Sequence, residues 1–145
     1  MRLDRAGIER RVPHAGAMCL LDAVIAWDEA RIECRAAAPD AGHPLARDGI
    51  VATVVAAEYA AQASAVHGAL VDEASAPRGG LLVKLGEVTL HAAVLATDPA
   101  GLTVRAELLG RSAAGCLYAF DVAAGLRPMA SGRLMVAFAA AAGVP

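Results

Sequence analysis

One stretch, residues 50–69, IVATVVAAEYAAQASAVHGA, reads as a long helix, and it is the only convincing one in the chain. Around it the sequence reads as strands, at about 18–27 and 30–38 before the helix and 81–92, 101–111, 116–123 and 128–138 after it. Asp28 and Glu29 mark a hairpin turn between the first two, and DPAG, SAAG and GLRP separate the last four. Tight turns of this kind join antiparallel neighbours. One helix cannot cover both faces of a long sheet. A strongly curved sheet that wraps around the helix buries it, so the expected fold class is α+β: about five or six antiparallel strands around one central helix.

Composition suits that arrangement. With 145 residues the chain has the size of one domain that can bury a core. Apolar residues are 57% and charged residues 19%, which excludes a disordered chain. Aromatics are only 3%, so the core must be built from Ala, Val and Leu. A net charge of −2 with scattered Arg and Lys leaves no basic footprint for nucleic acid. The start, MRLDRAGIERR, has charges but no apolar run behind them and is not a signal peptide. Glu58 and Gln62 interrupt the longest apolar stretch, so no membrane span is expected. Cys19, Cys34 and Cys116 are an odd set without a CxxC pair, which reads as buried thiols in a reducing cytoplasm. A single domain over 1–145 is expected, with 1–8 and 140–145 as loose termini and a lead-in broken by Pro13 and Gly16.

The helix carries the chemical question. A helix turns about 100° per residue, so with Thr53 at zero Glu58 falls near 140° and Gln62 near 180°. Val51, Val54, Val55, Ala65 and Val66 share that sector. A carboxylate and an amide therefore sit at the centre of the bulky apolar stripe, one turn apart. The opposite side holds Thr53, Ala57, Ala60, Ser64 and His67, small enough to pack closely on a sheet, or else to face solvent. A buried charge is costly unless paired or neutralised. One reading is structural: Glu58 and Gln62 bond each other and a backbone group. The other is catalytic. The stripe offers Glu58 no Arg or Lys within a turn, and the loop upstream, PDAGHPLARDG, holds His43. A carboxyl raised in pKa by an apolar site, opposite an imidazole, suits proton transfer near neutral pH.

The remaining candidates read more simply. His67 before Gly68 suggests an imidazole on the last carbonyls of the helix and a glycine cap. His91 ends a strand and is expected to be exposed, and Asp22 is expected to hydrogen-bond inside or at the edge of a sheet. No histidine stands in a two-ligand spacing with Cys or a carboxylate, so no zinc site is expected.

Two motifs together resemble the hotdog-fold 3-hydroxyacyl-ACP dehydratases. In VPHAGAMCLLDAVIAWD, Pro13, His14, Met18, Leu20, Leu21 and Asp22 match the opening motif of that family. In HPLARDGIVATVVAAEYAAQ, His43, Glu58 and Gln62 match its loop histidine and helix Glu…Gln. EYAAQASAVHGAL looks closest to the predicted dehydratases of the aryl polyene type. Here the loop is one residue longer than the family pattern and lacks its Pro-Gly before the helix, so Gly49 takes the place of the turn.

The resemblance implies dehydration of a 3-hydroxyacyl thioester, on acyl carrier protein or CoA, to the trans-2-enoyl thioester. It implies a cytoplasmic homodimer, or a heterodimer with another hotdog subunit, in which His43 of one chain meets Glu58 of the other. His43 would be the base and Glu58 the acid, with backbone N–H groups of 49–53 facing the thioester oxygen. His14, Gly49, Gln62 and Gly86 would line the substrate, Gly86 by permitting close backbone approach in a strand along the dimer seam or tunnel. No metal or redox cofactor is implied; phosphopantetheine carries the substrate. The alternatives are a non-catalytic subunit that stabilises an active dehydratase, and an acyl thioesterase.

Overall fold

The computed structural model describes residues 2–11, 16–72 and 80–138. Six strands form one antiparallel sheet: β1 (Ala23–Trp27), β2 (Arg31–Ala36), β3 (Gly80–Leu90), β4 (Leu102–Ser112), β5 (Gly115–Ala124) and β6 (Arg127–Phe138). Their order is β1-β2-β4-β5-β6-β3. The sheet curves around the long helix α2 (Ala56–Val71), as expected. A short helix α1 (Arg5–Glu9) precedes β1.

The small side of α2 packs on the sheet. Thr53, Ala60 and His67 are 0% exposed and Ala57 and Ser64 nearly so. Small side chains let the helix axis approach the pleated surface closely. The inward sheet positions fill the space between them: Ile32 and Cys34 of β2, Val104 and Ala106 of β4, Tyr118, Phe120 and Val122 of β5, Leu134 and Val136 of β6. Every second residue of β5 is buried, the period of a half-buried strand. All three thiols are buried in this core, and burial pushes Cys34 up to about 12. Outward positions carry exposed ion pairs, Arg105 to Glu33 and Asp121 and Arg31 to Glu107, which add little stability.

Three local readings are corrected. The first strand begins at Ala23, not at 18. Residues 16–18 form a 3-10 turn, and the groups that would have joined a ladder are taken by the helix: Leu20 N–H donates to Gln62 Oε1. Residues 2–8 are not loose. Ile8 is 0% exposed, Asp4 caps α1 through Gly7 N–H, and Leu3 exchanges both backbone hydrogen bonds with Val24. The helix starts six residues late. Residues 51–53 are held as an extended strip, with Leu95 N–H donating to Val51 C=O and Thr53 N–H to Ala93 C=O. A 3-10 turn over Thr53–Val55 then leads into α2. Residues 140–145 lie outside the described residues.

β3 pairs with β6 on one side and closes that end of the sheet. Its Leu85, Val88 and Leu90 are exposed at 36%, 37% and 47%. The ladder to β6 is irregular between Gly86 and Thr89, where Glu87 has φ +52°. The partner strand answers with Gly132. A Cβ there would lie 3.1 Å from Gly86 C=O and from Val88 Cα. Within this chain the close backbone approach is at Gly132, and a Cβ at Gly86 would meet nothing within 4 Å.

Candidate functional site

Two layers meet at the N-terminal half of α2: the segment 16–22 and the loop 37–52. Gln62 fixes the first. It is 2% exposed, and its amide orientation is set by its partners. Oε1 accepts from Leu20 N–H at 2.9 Å, so Nε2 is the donor, to Met18 C=O at 2.8 Å and to Glu58 Oε1 at 3.2 Å. All its polar atoms are satisfied by the protein. Gln62 thus orients Glu58 and anchors the opening motif at Met18 and Leu20. Glu58 itself is half-buried, in the first turn of α2. Asp22 extends the same brace: it accepts from Ala37 N–H at 2.7 Å and pairs with Arg5 at 2.9 Å. Arg5 also donates to the carbonyls of Gly16 and Cys19. The position of His14 in the opening motif lies outside the described residues.

The second layer carries His43. Two short turns hold it: His43 N–H donates to Asp40 C=O, and Ala46 N–H to His43 C=O. The imidazole is clamped at both nitrogens. Leu45 N–H donates to Nδ1 at 3.0 Å, and Nε2 lies 2.9 Å from Tyr59 Oη. A backbone N–H can only donate, so Nδ1 is the bare nitrogen and Nε2 carries the proton. Burial lowers the His43 pKa below the ordinary imidazole value, opposed in part by Asp40. The ring is thus neutral near pH 7, with its N–H directed at Tyr59. Tyr59 is 2% exposed, and burial pushes its pKa up to about 12, so the phenol keeps its proton. Sequence reasoning missed this residue. The available signal was its place: one of two tyrosines in the chain, next to Glu58 in the long helix.

Gly49 occupies the tight turn expected of it. It has φ +76° between Arg47 and Ile50, which exchange two backbone hydrogen bonds. Among the N–H groups of 49–53, those of Ile50 and Thr53 are already bonded, to Arg47 and Ala93 carbonyls. The candidate donors narrow to Gly49, Val51 and Ala52. Gly86 sits on β3, the edge strand at the opposite end of the sheet from β1. A cleft of about 480 Å³ lies on the outer face among Trp27, Glu33, Arg105, Glu107 and Asp121, away from this site.

His67 corrects another reading. It is 0% exposed and does not touch the end of its own helix. Nε2–H donates to Asp28 C=O at 2.8 Å, and Nδ1 accepts from Tyr118 O–H at 2.8 Å. The helix continues through Gly68 to Val71, with Asp72 as its C-cap. His91 is exposed, as expected.

Solved structures with the same fold include the dehydratase heterocomplex ApeI:P from Xenorhabdus doucetiae, at 20% identity and TM-score 0.79, covering 92% of this chain and 91% of that one. A hypothetical thioesterase with coenzyme A from Streptococcus pneumoniae TIGR4 matches at 11% identity and TM-score 0.57, over 80% and 84%. An uncharacterized protein from Pyrococcus horikoshii matches at 15% and 0.64, over 91% and 93%. At these identities the likeness concerns the fold, and the fold is the hotdog. No curated protein matches in sequence. A family model described as ApeP-like, ApeP dehydratase, matches residues 6–142. That match spans nearly all of the 145 residues, and the chain belongs to the ApeP-like dehydratase family.

Proposed function

We propose that the protein takes part in dehydration of a 3-hydroxyacyl thioester, carried by acyl carrier protein or CoA, to the trans-2-enoyl thioester. The observation that carries this reading is the double clamp on His43 at the start of a helix whose first turn bears Glu58, in a chain of a dehydratase family. Dehydration needs a proton removed from the carbon beside the thioester and a proton given to the departing hydroxyl. His43 and Glu58 supply one rigid imidazole and one oriented carboxyl for that work. Phosphopantetheine would deliver the acyl group, and no resident cofactor is invoked.

The site is completed by a second hotdog subunit. The β3 edge, with Leu85, Val88 and Leu90 exposed, supplies an apolar seam with unpaired strand groups. The ApeI:P heterocomplex match favours a different chain as partner and supports a second reading, in which this subunit mainly stabilises an active one. Incubation with 3-hydroxyacyl-ACP, alone and with a hotdog dehydratase subunit, separates the two by the loss of one water mass from the acyl group. Under the first reading His43→Ala and Glu58→Gln each lower turnover by about a hundredfold or more with the fold kept. Unchanged turnover of the mixed assembly in both variants leaves only the stabilising role.

A further inference from the structure

The resemblance makes His43 the base. A base at Nε2 needs a lone pair there, and the hydrogen bonds around the ring put it elsewhere. Leu45 N–H occupies Nδ1 at 3.0 Å, which leaves the proton on Nε2, 2.9 Å from Tyr59 Oη. To accept a proton at Nε2 the ring would first have to move its own proton to Nδ1, against a backbone N–H that cannot turn away. Donating from Nε2 requires no such change. The N–H exchanges one oxygen acceptor, the phenol, for another.

We infer that His43 serves the reaction as a neutral hydrogen-bond donor through Nε2, that Tyr59 is its positioning residue, and that the Glu58 carboxyl carries the proton. The inference rests on the dehydration reading above. The Glu58 carboxylate takes the proton from the carbon beside the thioester, and that C–H electron pair moves onto the thioester oxygen. His43 Nε2–H stabilises the oxygen as charge develops. The carboxylic acid then returns its proton to the 3-hydroxyl as the C–O bond breaks. The electron pair falls back to form the C=C bond, water leaves, and Glu58 is a carboxylate again. His43 starts and ends neutral, in line with the burial that disfavours its charged form.

Tyr59 keeps the ring ready. Its oxygen accepts the N–H while no substrate is bound, and its side chain is buried within the core. Among the described residues this is the one hydrogen bond that Tyr59 Oη makes.

Two measurements test this. The imidazole ¹⁵N spectrum of the whole protein without substrate reads the tautomer directly. A protonated Nε2 and a bare Nδ1 are expected for His43, in the wild type and in Tyr59→Phe alike, because Leu45 N–H holds Nδ1 in both. Turnover of the active assembly reads the role. His43→Gln keeps an N–H near the Nε2 position and cannot act as a base, so it should stay within about tenfold of wild type while His43→Ala falls about a hundredfold or more. Tyr59→Phe should lower kcat about tenfold with KM within about twofold. A protonated Nδ1, or His43→Gln as inactive as His43→Ala, overturns the donor role. An unaltered kcat in Tyr59→Phe overturns the positioning role. Absence of turnover in the wild-type assembly overturns the dehydration reading instead, while the nitrogen spectrum still decides the tautomer.

Discussion

At the scale of the residue, three polar side chains of the helix do different work. Gln62 is structural and costly to lose. Its amide satisfies Leu20 N–H and Met18 C=O and steadies Glu58. Gln62→Leu strands two main-chain groups in the interior, and we expect a loss of about 3 kcal/mol in denaturant unfolding. Glu58→Gln should cost less, because it leaves those two backbone bonds in place. His67 behaves differently again. It is neutral and fully buried between Asp28 C=O and Tyr118, and burial lowers its pKa. The unfolded chain takes up a proton below about pH 6.5 that the folded chain refuses. Stability should therefore be complete above that value and decline as pH falls beneath it, with His43 acting in the same direction. His67→Gln keeps a donor and removes the titration. A flatter stability curve between pH 7 and 5 checks the assignment, and an unchanged slope rejects it. The roles of Glu58 and Gln62 were half legible here. Their shared face and one-turn spacing followed from helical geometry alone. That the amide faces the chain's own residues 18–20 required the tertiary contact, which no local period encodes.

At the scale of the element, the corrected boundaries share one cause. Where the sequence shows a short apolar run, propensity allows strand or helix, and long-range hydrogen bonds choose. Residues 18–22 have the composition of a strand but lie against α2, because Gln62 takes their backbone groups. Residues 51–53 fit the helical period but are held extended by 93–95. The later strands came close to expectation, since Pro, Gly and Asp clusters punctuate them and hairpin partners are neighbours in sequence. β3 differs because its apolar positions are exposed at an edge. If that edge is the seam, Val88→Lys and Leu90→Lys should weaken assembly at least tenfold, read by sedimentation with and without a second hotdog subunit. Unaltered sedimentation in the double variant would move the seam elsewhere.

At the scale of the whole molecule, a curved sheet around one small-faced helix follows from arithmetic. One amphipathic helix, six strand segments and few aromatics permit few other ways to bury the chain. Side-chain period and turn chemistry act over a few residues, so the sequence by itself determined the element order, the α+β class and the shared face of Glu58 and Gln62. The choice between solvent and sheet for the small face of α2, the bulge opposite Gly132, and the pairing of His43 with Tyr59 were decided only by tertiary structure. Those depend on groups far apart in the chain being brought within hydrogen-bond or van der Waals distance. A proton's place on an imidazole is set by which neighbours donate and which accept, and that is known only once the neighbours are in position.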